Sequence, residues 1–186
     1  VVALNGDFYT KTDMVKVVLR QGKQVRNISE GVSDLLVIDM NGDFSYLPLC
    51  SKEDYQAYYE ENQQNMYQVF CFGPLLCQDG VSVIGEDYLN KSLGSQNSTQ
   101  RTAICQIGPL EYVFVEAEGR VKHSKGVTTD QMGEFMVSLG VQTAYCMDGG
   151  NSSIMLFNGR YFDANYAESE REQSDIIYVC SAVPNE

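Results

Sequence analysis

The sequence predicts an α+β fold: a single domain with a largely antiparallel, twisted sheet flanked by a few helices. Apolar segments of strand length recur between turn residues, whereas only two segments show the apolar spacing or capping residues of a helix. The connections between successive strands are mostly short and hairpin-like, which favours antiparallel pairing. A length of 186 residues fits one domain with a sizeable core, and no linker or repeat divides it. We therefore expect residues 1–186 to form one domain.

The strands are predicted from apolar runs separated by glycine, proline and asparagine turns. Asn41-Gly42 and Asn158-Gly159 are each placed between two such runs, as in β-hairpins. Gly73-Pro74 interrupts another run and is expected to bend it. The predicted strands cover residues 1–4, 35–40, 43–47, 67–77, 101–108, 111–118, 141–147, 154–157, 160–162 and 175–182.

Two helices are predicted from their capping residues and apolar spacing. Ser51 starts a polar helix that extends to about residue 66 and has acidic side chains in its first turn. Thr128 starts a second helix over residues 128–139, Gln131 completes its capping box, and Gly140 follows its end. The spacing predicts one apolar face on this second helix, made of Met132, Phe135, Met136 and Leu139.

Two polar segments are predicted to be loops. Residues 78–100 are rich in glycine, serine and asparagine, which is typical of an exposed loop such as a lid over a cleft. A charged segment that contains Arg171 precedes the last predicted strand.

Composition and charge exclude several classes of function. The net charge of −12 opposes binding to nucleic acids and to anionic membranes, because like charges repel at long range. No apolar run reaches transmembrane length, so no membrane insertion is expected. The six cysteines form no Cys-x-x-Cys pair and His123 is the only histidine, which argues against a structural zinc site. We expect mostly reduced cysteines in the core.

The segment Cys146–Ser153 contains the most informative residues of the chain. Asp148, Gly149, Gly150, Asn151, Ser152 and Ser153 follow a predicted strand and precede a predicted hairpin, so they fall on one sharp turn. Adjacent glycines let a ligand approach backbone N–H groups without a Cβ in the way. The alternative is a tight turn whose polar side chains only satisfy nearby amides. Other polar groups at predicted strand ends are Asn5, Asp7, Arg101, Thr102, Glu118, Arg120 and Arg171.

These residue types suit sugar chemistry. Carboxylates stabilise an oxocarbenium-like centre, while amides and hydroxyls hold the hydroxyl groups of the sugar. Each charged residue alone is more often a solvated surface group, so the prediction depends on several of them ending strands beside glycines. His123 lies in a polar stretch and is expected at the surface rather than in the role of a general base.

Five motifs appear in order along nearly the whole chain and resemble the phosphodiester glycosidase family. They are Asn5-Gly6-Asp7-Phe8-Tyr9, Phe72-Gly73-Pro74-Leu75-Leu76 with Asp79-Gly80, Arg101-Thr102-Ala103-Ile104, the block from Gly126-Val127-Thr128-Thr129 to Asp148-Gly149-Gly150-Asn151-Ser152-Ser153, and Arg171 with Ser174-Asp175. The sequence departs from the family pattern at two points. Asn151 replaces a third glycine, and Glu118-Gly119 replaces an Asp-Gly pair.

The resemblance implies a hydrolase that removes a sugar, N-acetylglucosamine-like, from a phosphodiester attached at its anomeric carbon. It also implies that Asp7, Arg101 and Asp148 are site residues, with Asn5, Thr102 and Ser152 beside them. We expect the substrate to be a small-molecule or polysaccharide sugar phosphodiester. The resemblance further indicates a bacterial, extracellular or cell-surface protein. The first residue, Val1, indicates a processed or trimmed chain.

Each charged residue of this site has an expected role. Arg101 is the first candidate to bind the phosphate and Arg171 the second, because a cation stabilises the departing phosphate. Asp148 is the first candidate for nucleophile or base, with Asp7 and Glu118 as alternatives. We expect an inverting rather than a retaining geometry. Substrate binding is assigned to Asn5, Thr102, Gly149, Gly150, Asn151, Ser152, Ser153 and Arg171.

Two other functions stay open at this point. The same fold could be a non-catalytic module that binds a cell-surface glycan. Alternatively, a metal-dependent phosphodiesterase could cut the P–O bond on the other side of the phosphate. The carboxylate-rich turns would accept a divalent cation, but no ligand spacing demands one, so no cofactor is predicted. The sequence does not indicate an oligomeric state.

Overall fold

A computed structural model shows the fold and describes residues 1–7, 17–84, 97–162 and 172–181. Fourteen strands and two α-helices occur in these residues. The helices are α1 (Lys52–Asn62) and α2 (Thr129–Ser138), and a short 3₁₀ helix covers Gly150–Ser152. The strands are β1 (Val2–Asn5), β2 (Val18–Arg20), β3 (Lys23–Arg26), β4 (Ser33–Asp39), β5 (Phe44–Cys50), β6 (Met66–Phe70), β7 (Leu75–Gln78), β8 (Val81–Ser82), β9 (Arg101–Gly108), β10 (Glu111–Ala117), β11 (Thr143–Cys146), β12 (Met155–Phe157), β13 (Arg160–Tyr161) and β14 (Ile176–Val179).

The strands form three sheets. Sheet A has the order β13-β12-β1-β14, sheet B the order β3-β2-β6-β4-β5, and sheet C the order β10-β9-β11-β7-β8. Every strand pair in the described part of the chain is antiparallel. The predicted α+β fold with largely antiparallel pairing is therefore confirmed. Strands β2, β3 and β8 were not predicted, because each is too short to give a clear signal, and β8 lies within the segment 78–100 that was predicted to be a loop.

The helix caps explain where the two helices begin. Ser51 and Thr128 each accept a hydrogen bond from the third residue of their helix, and Asp54 and Gln131 complete the two capping boxes. Helix α1 ends at Asn62, earlier than predicted.

The apolar face of α2 is narrower than its sequence predicts. Met132 and Met136 are buried against sheet C, but Phe135 is 49% exposed and Leu139 is 43% exposed. The sequence period places all four side chains on one side of the helix, but it does not reveal how much of that side the sheet covers.

The central core joins the three sheets. Tyr145 of β11 is fully buried, and its hydroxyl donates hydrogen bonds to the backbone carbonyls of Asp34 and Phe70 in sheet B at 2.7 and 3.2 Å. These contacts hold β11 of sheet C against β4 and β6 of sheet B. The central cluster contains Leu4, Leu36, Phe70, Leu75, Ile104, Tyr145 and Met147.

The cysteines behave as small apolar residues. Cys50, Cys71, Cys77, Cys105 and Cys146 are buried, and Cys180 is exposed. Burial raises the pKa of the Cys105 thiol to about 12 and that of the Cys146 thiol to about 11, so both stay protonated at neutral pH. Among the described residues, no helix is both long enough and apolar enough to span a membrane.

Candidate functional site

The turn Asp148–Ser153 is fixed against the start of β9. Strand β11 pairs with β9 up to Cys146, and the next residue, Met147, donates its backbone N–H to the carbonyl of Thr102 at 2.9 Å. Gly150 then donates its backbone N–H to the carbonyl of Gln100 at 3.0 Å. The backbone of Asp148 therefore lies beside the backbone of Arg101 and Thr102.

Asn5 connects this turn to sheet A. Its side-chain amide donates to the backbone carbonyl of Asp148 at 2.6 Å, and its side-chain oxygen accepts from the N–H of Ile154 at 3.2 Å. Asn5 is fully buried, so both bonds are shielded from water. The first strand of the chain thus holds both ends of the turn.

The turn and its surroundings contain buried hydroxyls with no internal partner. Thr102, Ser152 and Ser153 are fully buried, and within the described residues none of their side-chain oxygens has a hydrogen-bond partner. The Asp148 side chain accepts from the N–H of Gly149 at 2.9 Å and is also largely buried. Buried hydroxyls are normally paired, so three unpaired ones around one turn indicate groups that bond to water or a ligand.

Arg101 lies inside the protein beside this turn. It is 5% exposed, and it donates to the backbone carbonyls of Val127 at 2.9 Å and Asn97 at 3.0 Å. Its charge also lowers the pKa of the Cys146 thiol, against the larger effect of burial. These contacts connect β9 to the segments on both sides of it, so Arg101 has a structural role in addition to its predicted role in phosphate binding.

The loop 118–126 packs closely against the segment that precedes β9. A Cβ on Gly126 would lie 2.3 Å from the backbone of Thr99, and one on Gly119 would lie 2.6 Å from the backbone nitrogen of Gln100. Only glycine permits this approach. Within the loop, the Glu118 carboxylate contacts the His123 ring at 2.7 Å. Sequence reasoning placed His123 at the surface, and it did not detect this contact with a predicted site residue.

Arg120 of the same loop lies over the turn. Its guanidinium donates to the side-chain oxygen of Asn151 at 3.2 Å. The guanidinium also lies close to Gly150, since a Cβ added there would be 3.4 Å from its nearest nitrogen. Its backbone has a φ of +57°, which is unusual for a residue with a side chain. Arg120 is exposed, so an anion at the turn could reach it from solvent.

Asp7 lies two residues beyond Asn5, but its contacts are with sheet B. Its carboxylate accepts from the backbone N–H groups of Cys71 at 2.9 Å and Phe72 at 3.1 Å, and it pairs with Arg20 at 3.1 Å. Burial raises the pKa of Asp7 to about 6, despite the opposing effect of Arg20. Arg20 was missed because a lone arginine in a short strand gives no signal in the sequence.

The described contacts join some of the predicted site residues directly. Asn5, Thr102 and the turn 148–153 are in contact, and Arg101 and Glu118 lie on segments that pack against them. Convergence of Asp7, Arg101 and Asp148 on one cleft stays a prediction. Arg171 and most of the predicted lid, residues 85–96, lie outside the described residues. In the part of the chain that the structure covers, no three histidine, cysteine or acidic side chains are grouped to hold a metal ion.

A sequence model of the phosphodiester glycosidase family matches residues 1–180. The chain belongs to this family. The resemblance of the five motifs is thereby confirmed at the level of the family. A search of curated proteins gave no match.

Two solved structures show the same fold. One is the zebrafish N-acetylglucosamine-1-phosphodiester alpha-N-acetylglucosaminidase catalytic domain, auto-inhibited by its pro-peptide. It matches with 21% identity and a TM-score of 0.68, over 87% of this chain and 55% of the zebrafish chain. The other is a hypothetical protein from Synechocystis, with 14% identity and a TM-score of 0.55, over 87% of this chain and 48% of that one. This chain spans about half the length of each.

Proposed function

We propose that this chain is a hydrolase that releases a sugar from a sugar-1-phosphodiester, with N-acetylglucosamine as the first candidate sugar. Family membership supports the reaction class, and the zebrafish enzyme of the same fold suggests the sugar. The observation that carries the proposal is the group of three buried, unpaired hydroxyls around the Asp148 turn. Buried hydroxyls that serve only to form a turn are normally paired within the protein.

The hydroxyls of Thr102, Ser152 and Ser153 are proposed to bind the sugar. A buried hydroxyl without a partner costs about 1–3 kcal/mol of stability, and a hydrogen bond to a sugar hydroxyl would recover that energy. Asn151 adds an amide where the family commonly has a glycine. Since the three hydroxyls are buried in the free protein, sugar binding requires the site to open.

The phosphate is proposed to bind between Arg120 and the turn, with Arg101 as the cation deeper in the protein. A guanidinium forms two charge-assisted hydrogen bonds to a phosphate, and it stabilises the negative charge that grows as the sugar–oxygen bond breaks. Arg120 is exposed and lies over Gly150, whereas Arg101 is held by backbone carbonyls. These contacts support Arg120 as a further candidate for phosphate binding, beside the predicted residues.

The carboxylates are proposed to have different roles. Asp148 is the nucleophile or base near the anomeric carbon, because it lies on the turn itself. Glu118 is half-buried, and its contact with His123 suits it for proton transfer. Asp7 has a fully buried side chain, so we assign it to positioning the site rather than touching the substrate.

The proposed activity is tested by incubating the protein with UDP-N-acetylglucosamine and with simpler N-acetylglucosamine-1-phosphodiesters. We expect free N-acetylglucosamine from each substrate, with UDP as the other product of the nucleotide sugar and a phosphate monoester as that of the simpler diesters. This activity should survive a chelator. Asp148→Asn should lose most turnover, because it removes charge and keeps shape. Glu134→Gln, a matched charge change on the exposed face of α2, should have no effect. Binding without sugar release would favour a glycan-binding module, and chelator-sensitive cleavage that leaves phosphate on the sugar would favour a phosphodiesterase.

The proposed location of the protein is extracellular or at the cell surface, in a bacterium. This proposal rests on the resemblance to the family. It is tested by fractionating the source cells and locating the protein with a specific antibody. Recovery only from the cytosolic fraction would contradict it.

A further inference from the structure

We propose that Arg20 is a positioning residue of the site, which holds the Asp7 carboxylate and thereby fixes the segment Asn5-Gly6-Asp7 against the Asp148 turn. This inference rests on the proposed function, because the site it would organise is the proposed glycosidase site. Arg20 belongs to β2 in sheet B, whereas Asn5 ends β1 of sheet A and Asp148 follows β11 of sheet C. Arg20 would therefore connect the third sheet to the site.

The guanidinium of Arg20 is held in one orientation from several sides. Its Nε donates to Asp175 at 2.7 Å and one terminal nitrogen donates to Asp7 at 3.1 Å. The group also lies over an aromatic ring, 4.1 Å from the ring centroid. A lysine ammonium could not reach two carboxylates and two carbonyls in one plane. The other acceptors and the ring belong to Leu19, Val69 and Phe70.

The two carboxylates that Arg20 binds lie on both sides of Gly6. Asp7 follows Gly6 in the chain, and the Asp175 carboxylate packs so closely on Gly6 that an added Cβ would lie 2.0 Å from its oxygen. The N–H of Gly6 also donates to the backbone carbonyl of Asp175 at 3.1 Å. Because Asn5 precedes Gly6 and donates to the carbonyl of Asp148, a shift of Asp7 or Asp175 would be transmitted to the turn.

The charges around Asp7 make Arg20 necessary for this arrangement. In the described residues, the charged groups that act on Asp7 are Arg20 from β2 and Asp175 ahead of β14, while the segment directly after β6 contributes backbone N–H groups. The Asp7 and Asp175 side chains are 0% and 14% exposed. Two buried carboxylates repel each other, and a cation between them offsets that repulsion.

The test measures the titration of Asp7 directly, by carbon-13 NMR of the side-chain carboxyls, with the Asp7 signal assigned from Asp7→Asn. Arg20→Gln removes the cation, so Asp7 should titrate about 1 pH unit or more higher. Asp175→Asn removes the second carboxylate, so Asp7 should titrate lower. These opposite shifts test whether Arg20 and Asp175 act on the Asp7 carboxylate, and the activity of the same variants tests whether that contact positions the site. Lys23→Gln, at the exposed cross-strand partner of Arg20, should leave the titration unchanged.

The same variants are tested for binding of N-acetylglucosamine-1-phosphate and for turnover. Arg20→Gln should weaken binding or kcat/KM by about 10-fold or more, and the pH dependence of activity should move with the Asp7 titration. If Arg20→Gln does not fold, Arg20→Lys, which keeps the charge but loses the planar guanidinium fork, should still reduce activity.

An unchanged Asp7 titration, or full activity in Arg20→Lys and Arg20→Gln, would overturn the proposal. A wild-type protein without turnover would contradict the proposed function, and the Asp7 titration would still decide whether Arg20 controls Asp7.

Discussion

Asn5 donates its side-chain amide to the backbone carbonyl of Asp148 at 2.6 Å, although 143 positions separate the two residues in the sequence. This bond joins the end of the first strand to the turn that contains the proposed nucleophile. The same side chain also accepts from the N–H of Ile154, so one asparagine holds the turn at both ends. The position of Asp148 therefore depends on a residue near the beginning of the chain.

Replacing Asn5 should reduce both stability and activity. Asn5→Ala leaves the carbonyl of Asp148 and the N–H of Ile154 buried without this partner, which should lower the free energy of unfolding by about 1–3 kcal/mol. Urea unfolding and sugar release from a phosphodiester measure the two effects. Asn62→Ala, which removes an asparagine that donates to a carbonyl at the end of α1, should leave turnover unchanged. Wild-type activity in Asn5→Ala would show that the Asn5 contact does not position the site.

The elements that the sequence predicted correctly depend on local signals. The capping residues Ser51 and Thr128 mark helix starts, and the strands around Asn41-Gly42 and Asn158-Gly159 follow from apolar runs and turn residues. The buried polar residues of the Asp148 turn could also be found, because a carboxylate, two glycines, an amide and two hydroxyls are adjacent in the chain. These features require no knowledge of tertiary structure.

The features that the sequence did not reveal depend on packing between distant segments. Arg20 is an ordinary basic residue in the sequence, and it becomes part of a charge network only when β2 packs beside β6 and near the start of β14. The exposure of Phe135 and Leu139 depends on how much of α2 sheet C covers. The contact between Glu118 and His123 arises because a tight loop turns the two side chains towards each other.

Removing an unpaired hydroxyl should separate stability from binding. Thr102→Val keeps the shape of the side chain and removes an oxygen that has no partner in the described residues. The variant should therefore unfold at the same or a higher urea concentration, while its KM for the phosphodiester rises about 10-fold. Equilibrium unfolding and steady-state kinetics provide the two measurements. A lower stability with an unchanged KM would mean that Thr102 bonds within the protein and does not bind the sugar.

Asp7 should make the protein less stable as the pH rises from 4 to 7. Burial raises its pKa from 3.8 to about 6, so the folded state binds this proton more tightly than the unfolded state does. This contribution to the free energy of unfolding, up to about 3 kcal/mol, is therefore present at low pH. It is lost as the pH rises through the folded-state pKa. Asp7→Asn should remove this part of the pH dependence. The measurement is the difference in unfolding free energy between the two proteins at pH 4, 5, 6 and 7; a constant difference would contradict the prediction.

The Glu118–His123 contact should affect catalysis if Glu118 transfers a proton. His123→Ala removes the partner at 2.7 Å and should change the pH dependence of kcat more than its value at the optimum. Glu118→Gln removes the carboxylate and should lower kcat by about 10²-fold or more. Because His123 is exposed and Glu118 is only half-buried, neither change should lower the unfolding free energy by more than about 1 kcal/mol. Full kcat in Glu118→Gln would exclude Glu118 from proton transfer.

Arg120 and Arg101 should respond differently to the same substitution. A guanidinium that binds the departing phosphate is needed most in the transition state, so Arg120→Lys should lower kcat for a sugar phosphodiester by about 10-fold or more. Arg120 is exposed, so the stability of this variant should stay close to that of the wild type. A nitrophenyl glycoside has no phosphate, and any cleavage of it should be unaffected by Arg120→Lys. Arg101→Lys also disrupts the bonds to Val127 and Asn97, so it should lower stability and slow both substrates. Equal losses on the two substrates in Arg120→Lys would mean that Arg120 does not bind the leaving phosphate.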